Sequence, residues 1–186
     1  MKAKKIVILI AAFVLVAGLA VAGTLAWIAD KTDAVVNTFT SSDINITLEE
    51  TTTDYKMVPG NAIAKDPKVT VEAGSEACWL FVKIEKNASY DSYLAAYKVA
   101  DGWDKLQDQD GVYYRMVGAT AKDAEFTVLK DDKVTVLSTV SKSMMKNLED
   151  GTTDKPTLTF TAYAVQQANI TTAADAWTQA QREANY

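Results

Sequence analysis

Few residues of this chain have the types and spacing that chemistry needs. The sequence contains no histidine, which removes Ser-His-Asp and Cys-His catalysis, the HExxH zinc site and every imidazole metal ligand. Asp104, Asp108 and Asp110 lie just before Gly111, and their carboxylates are oxygen ligands of the kind that calcium uses. The EF-hand order and its terminal glutamate are absent, so an ordinary Asp-Gly turn is the alternative. The three aspartates are weak metal candidates, and the sequence predicts no catalytic residue and no cofactor.

The single cysteine, Cys78, lies in an apolar segment. It cannot form a disulfide within the chain, so the domain must be held together by its core. No basic residue lies close to it in the sequence to lower the pKa of its thiol. We therefore expect a buried structural thiol rather than a nucleophile or ligand.

The charge balance excludes one class of partner. Three of the 19 basic residues lie in positions 1–26 and none of the 24 acidic residues does, so the remainder carries 16 − 24 = −8. Because binding to phosphates needs a basic surface, nucleic acid is not an expected partner.

The N-terminus has the pattern of an export signal. Lysines within positions 1–5 precede an uncharged apolar run over 6–23, as in the n-region and h-region of a secretory signal. The run also reaches the lower limit for crossing a bilayer, so a permanent anchor remains the alternative. Small residues ending at Ala26 favour cleavage between Ala26 and Trp27. We thus predict a signal peptide at 1–26, an N-terminal extension at 27–42 and a β-sandwich domain at 43–186, with membrane contact only before cleavage.

The elements of the mature chain are mostly strands with a period of two. Alternating apolar and polar residues predict half-buried strands, and turn residues such as those in Pro59-Gly60 and Asp150-Gly151 separate them. The predicted strands are 43–49, 68–72, 78–85, 112–116, 126–129, 133–137 and 157–164, and the predicted helices are 91–97 and 172–183. The fold class is therefore all-β: an antiparallel sandwich with one or two short helices, preceded by a hydrophobic signal helix.

Two large aromatic residues of the strand at 78–85 need an explanation. Trp79 and Phe81 alternate with Leu80 and Val82, so they lie on the face where a sandwich strand usually has polar residues. Either a local helix or loop covers them, or they contact another subunit.

The order of several short motifs resembles the TasA/camelysin family of exported Gram-positive proteins. A lysine-bearing signal ends in the Thr24-Leu-Ala-Trp-Ile-Ala-Asp30 motif, and Asn37-Thr-Phe39 leads into Ile44-Asn-Ile-Thr-Leu48. A Pro59-Gly60 turn precedes the motif Lys65-Asp-Pro-Lys-Val-Thr-Val71, and Ala162-Tyr-Ala-Val-Gln-Gln167 is followed by Ala173-Ala-Asp-Ala-Trp177. The resemblance covers nearly the whole chain.

The resemblance implies a fold and a function. The fold would be a jelly roll of two antiparallel sheets, and the signal would be cut by a dedicated ER-type signal peptidase of the SipW kind. The protein would be secreted and kept in the cell-surface or biofilm matrix, where it self-associates into fibres as the N-terminal segment of one subunit adds as a strand to the next. The residues expected in assembly are Trp27, Ile28, Val35, Val36, Phe39, Trp79 and Phe81.

Other interpretations of the same residues stay open. Residues 27–40 could pair within their own subunit, because Val35, Asn37 and Phe39 alternate with Val36 and its neighbours as in any strand. Camelysin-type members have been classed as metalloproteases, but without histidine a protease here would need an all-carboxylate metal site. A monomeric surface adhesin or binding sandwich is the third possibility.

Overall fold

The computed structural model describes residues 43–51 and 55–184. This part of the chain is built mainly of antiparallel strands, with three short α-helices and one 3-10 helix. Its strands are β1 (Ile46–Glu49), β2 (Ala62–Ala64), β3 (Lys68–Val71), β4 (Cys78–Lys86), β5 (Asp104–Lys105), β6 (Val112–Val117), β7 (Ala124–Thr127), β8 (Lys133–Thr135) and β9 (Leu158–Gln166). Its helices are α1 (Tyr90–Tyr93), α2 (Lys142–Glu149) and α3 (Ala173–Glu183). The all-β prediction is confirmed.

The described strands form three sheets. One has the order β1-β3-β7, another has the order β5-β6-β4-β9, and β2 pairs with β8 alone. All of these pairs are antiparallel. Isolated bridges between Leu94 and Val136 and between Val99 and Leu129 tie the 94–100 segment to the chain around β8.

The main core lies between the inner faces of the three-stranded and four-stranded sheets. Alternation along β3 and β4 buries Val69, Val71, Leu80 and Val82 completely, as expected where two sheets bring their apolar faces together. Burial of these side chains is the dominant favourable contribution to folding, at about 1.5 to 3 kcal/mol each.

The strand β4 is apolar on both faces because both are covered. Its residues from Cys78 to Val82 are all buried, with the main core on one side and α3 on the other. The helix begins where the sequence predicts, since the Thr172 hydroxyl accepts a hydrogen bond from the Asp175 N–H at 3.2 Å. Ala176, Trp177 and Ala180 form its buried face.

Two local predictions were wrong. The predicted helix 91–97 is the shorter α1, because Leu94 turns extended to pair with Val136. The strands predicted at 126–129 and 133–137 are joined by Asp131 and Asp132, and this short connection predicts that they pair. They lie in different sheets, since both aspartates have positive φ angles that redirect the chain. The helix α2 was not predicted.

Candidate functional site

The three aspartates considered as metal ligands do not form a site. Asp104 lies in β5, Asp108 occupies a turn with φ of 58° and the Asp110 carboxylate lies 3.6 Å from the Lys105 ammonium. Within 43–51 and 55–184, no group of three or more Cys, Asp or Glu side chains could hold a metal ion. The weak metal prediction thus finds no support in the geometry.

Cys78 has the environment of a structural thiol. Its side chain is fully buried in the main core, and burial raises the pKa of the thiol to about 11. A thiol with this pKa is almost entirely protonated at neutral pH, so it is a poor nucleophile.

Trp79 and Phe81 are covered by the helix α3. The Phe81 and Trp177 ring centroids lie 5.3 Å apart, and the Trp79 indole N–H donates to the Ile170 carbonyl at 3.2 Å. Trp79 is 6 % exposed and Phe81 is not exposed at all. Of the two alternatives given by the sequence, the structure has the one in which a local element covers both side chains, and a role for them in assembly stays a prediction.

The strand β9 has an open backbone edge. The Thr157 carbonyl accepts from the Asn87 N–H, and the Gln167 N–H donates to the Ala77 carbonyl. In an antiparallel pair the backbone N–H and C=O groups of successive residues point to opposite sides of the strand. The groups of the odd-numbered residues of β9 therefore point toward β4, and those of the even-numbered residues point away from it. Within the described chain no hydrogen-bonding partner meets these outward groups, which belong to Leu158, Phe160, Ala162, Ala164 and Gln166.

The strand β1 has a second open edge beside the first. The Asn45 carbonyl accepts from the Glu72 N–H, so the same alternation directs the backbone groups of Ile46 and Leu48 away from β3. Some Cα atoms of β1 and β9 come within 8 Å of each other, yet no ladder joins these two strands in the part described. We call the space between Ile46–Glu49 and Leu158–Gln166 the seam.

Apolar side chains along the seam are incompletely covered. Ile46, Leu48, Phe160 and Ala162 are all partly buried and pack against the main core. A strand added here would cover them further, and this burial together with the main-chain bonds would stabilise the addition.

The margins at β7 and β5, at the far side of the two larger sheets, are better protected. Beyond β7, the Thr127 carbonyl accepts from the Trp103 indole N–H at 2.9 Å and the Val128 carbonyl accepts from the Ala100 N–H. The margin at β5 is only two residues long. The strands β2 and β8 of the two-stranded sheet have three residues each. Because short or covered edges resist strand addition, the seam is the margin of the described sheets most suited to it.

A cavity of about 550 Å³ lies at the Leu158 end of the seam. We call it the end pocket. Its apolar lining comes from Met57, Ile63, Leu94, Met145, Leu148 and Leu158, and Pro156 lies on its wall. This volume is typical of protein pockets that bind a ligand or a side chain.

A buried ion pair supplies the polar wall of the end pocket. The Lys65 ammonium lies 2.6 Å from Glu50, and the two side chains are 10 % and 16 % exposed. The Tyr55 hydroxyl donates to the same carboxylate at 2.8 Å. Burial, followed by the hydrogen bond and charge of Glu50, raises the pKa of Tyr55. The Lys65 ammonium also lies 5.2 Å from the centre of the Phe160 ring, close enough for a cation–π contact.

The assembly residues expected in the N-terminal extension, namely Trp27, Ile28, Val35, Val36 and Phe39, lie outside the described residues. So do the predicted cleavage position at Ala26 and Trp27 and the predicted signal peptide. No helix in the described part is both long and apolar enough to cross a membrane.

In the part of the chain that the structure describes, the fold and the seam define a class of protein: an antiparallel all-β domain with short helices and two neighbouring open edges. No protein-family model matches this chain, and neither a curated protein nor a solved structure does. Its function must therefore be argued from its own residues.

Proposed function

We propose that this protein is a secreted structural subunit of the cell surface or biofilm matrix of a Gram-positive-type bacterium. In this proposal it has the jelly-roll fold of the TasA/camelysin family, which its motifs resemble. Subunits assemble head to tail into fibres when the N-terminal segment of one subunit adds as a strand to the next.

The observation that supports this proposal best is the open edge of β9. This edge belongs to the described sheet with the most strands and runs over nine residues. It directs outward along the seam five sets of backbone groups that have no hydrogen-bonding partner among the described residues. Long open edges favour pairing with another chain, and proteins usually protect them. A donated strand supplies those missing partners.

The location of Asp43 determines in which direction a donated strand would run relative to β9. The Asp43 carbonyl accepts from the Glu76 N–H at 3.2 Å, and the Glu76 carboxylate accepts from the Gln166 side-chain amide. Asp43 therefore lies beside the Gln166 end of the seam, opposite the end pocket, and in this proposal the segment before it leaves the subunit there. In a head-to-tail stack it enters the next copy at the Leu158 end and lies antiparallel to β9.

The seam must widen to receive a complete strand. A strand inserted between two others separates them by about 10 Å, which is twice the spacing of hydrogen-bonded strands. Since some Cα atoms of β1 and β9 now come within 8 Å, donation moves β1 outward by a few ångströms. Pairing with β9 alone requires less movement and is the expected first step.

The experiment compares two versions of the purified protein by electron microscopy. One begins at Trp27, and the other begins at Ser41 and lacks the donor segment. We expect fibres from the first and monomers from the second. If both stay monomeric under all assembly conditions, or both form equal fibres, donation by this segment is wrong.

A further inference from the structure

We infer that the end pocket receives Phe39 of a second copy of this chain and thereby fixes the register of the donated strand. This inference rests on the proposed function, because it assumes that residues 34–39 pair with β9 of a neighbour. The inferred contact selects one register of the donated strand against β9 among several that main-chain pairing alone would allow. Without such a contact, a strand can slip by two residues along an edge.

The sequence before Asp43 offers one large apolar side chain close to the point of donation. In an extended strand Phe39, Asn37 and Val35 lie on the same face. Antiparallel alignment with Phe39 opposite Pro156 puts Asn37 opposite Leu158 and Val35 opposite Phe160. Pro156 is a suitable end for this ladder, since it has no N–H to donate.

The polar residue Asn37 favours this register. Covering an amide side chain in a sheet is costly unless it finds hydrogen-bonding partners. Opposite Leu158 the amide approaches the Lys65–Glu50 pair, which lines the end pocket beside that residue. Farther along the seam the inner face consists of Ala162 and Ala164, which offer no partner.

The pocket has the chemistry to receive an aromatic ring. Two thioether side chains, Met57 and Met145, line it with Leu148, and methionine adapts its shape to aromatic partners and interacts favourably with them. An aromatic side chain that fills a desolvated pocket is the usual form of an interface hot spot.

The length of the chain between Phe39 and the end pocket favours a contact with a second subunit. From Asp43 to Glu50 the chain runs along β1, and seven residue steps of an extended strand cover about 23 Å. The four steps from Phe39 to Asp43 reach at most about 14 Å. With both segments extended, the Cα atom of Phe39 would lie roughly 9 Å short of Glu50 at the pocket wall, which favours a contact between subunits, and only a contact between subunits gives a ladder of covalent oligomers in a cross-linking test.

The inference is tested by disulfide cross-linking in the mature chain that begins at Trp27. Phe39→Cys is combined with Met145→Cys, while the buried native thiol is left unchanged. After assembly and mild oxidation, we expect a ladder of covalent oligomers on a non-reducing gel. In the matched control Thr38→Cys replaces Phe39→Cys, which moves the thiol to the opposite face of the donated strand, and we expect at least tenfold fewer cross-links.

A second measurement avoids dependence on cysteine geometry. Phe39→Ala should raise the protein concentration needed for assembly by about 30-fold or more, the effect of losing an interface hot spot. Thr38→Ala should change it by less than about threefold.

The outcomes separate the two proposals. If the unmodified protein forms fibres but the Phe39–Met145 pair gives no ladder, or the Thr38 control gives an equal one, the pocket contact is wrong and strand donation stands. Normal assembly of Phe39→Ala also overturns the pocket contact. If the unmodified protein forms no polymer, both proposals are wrong.

Discussion

Replacing Ala162 by proline should block assembly while leaving the subunit folded. Ala162 lies near the middle of β9, opposite Val82, and its N–H is directed away from β4 into the seam. Proline is tolerated on an edge strand where its missing N–H would have faced outward. We therefore expect the free energy of unfolding to change by no more than about 1 kcal/mol.

The same substitution removes a donor from the edge that receives the strand. One main-chain hydrogen bond contributes about 1 kcal/mol, and a carbonyl left unsatisfied in the donated strand costs about 1 to 3 kcal/mol. The sum of roughly 2 to 4 kcal/mol weakens donation about 30- to 700-fold. Assembly is measured by light scattering over a concentration series, with fibres counted by electron microscopy.

Thr161→Pro is the matched control. The N–H of Thr161 is directed toward β4, opposite Lys83, so its loss breaks an internal ladder bond and should cost roughly 2 to 4 kcal/mol of folding free energy. Urea denaturation separates the two variants. If Ala162→Pro is as stable as the parent and assembles equally well, β9 is not the edge that receives the donor.

Three further predictions concern stability. Lys65→Met leaves the Glu50 carboxylate without its ion-pair partner at 2.6 Å and should lower the free energy of unfolding by about 3 kcal/mol in urea titration; a change below 1 kcal/mol would show that the pair is dispensable. Gly111→Ala should lower the melting temperature more than Gly74→Ala. Both positions have positive φ, but a Cβ atom at Gly111 would meet a backbone carbonyl of β4, whereas a Cβ atom at Gly74 would meet no other atom. Equal shifts of the melting temperature would contradict this. Burial raises the pKa of the Cys78 thiol from 9.0 to about 11, so between these pH values the thiol stays protonated in the folded state while it ionises in the unfolded state. The free energy of unfolding should therefore fall as pH rises from about 9 to 11. In Cys78→Val this part of the pH dependence should vanish, and an unchanged pH dependence would exclude the thiol as its cause.

The sequence was informative wherever a local pattern decided the structure. The apolar start of β4 indicated coverage on both faces, and the face formed by Ala176, Trp177 and Ala180 is the one that α3 buries. These predictions succeeded because periodicity reports which side of an element is buried.

Short elements were harder to predict. The helix α2 has eight residues, too few for a stable isolated helix. It is held by tertiary packing of Leu148 in a cluster with Tyr93. Ser141 was the available signal, because its hydroxyl accepts from the Met144 N–H at 3.3 Å as an N-cap.

The seam and the end pocket could not be predicted from the sequence. Alternation over 157–164 predicts a half-buried strand, but not that this strand ends a sheet, since edge position depends on the order of strands distant in sequence. The Lys65–Glu50 pair likewise joins residues 15 positions apart, and β2 lies between them in the sequence. Lys65 and Glu50 have no distinctive spacing, and only the folded chain reveals that they share a buried site.

Amide hydrogen exchange along β9 tests the central claim most directly. In the unassembled mature protein, the outward amides of Phe160, Ala162 and Ala164 should exchange rapidly, while those of Thr161 and Tyr163 are protected by β4. In fibres, strand donation predicts that the outward amides become protected too. If the outward amides exchange as rapidly in fibres as in the free subunit, no strand has been added at this edge and the account is wrong.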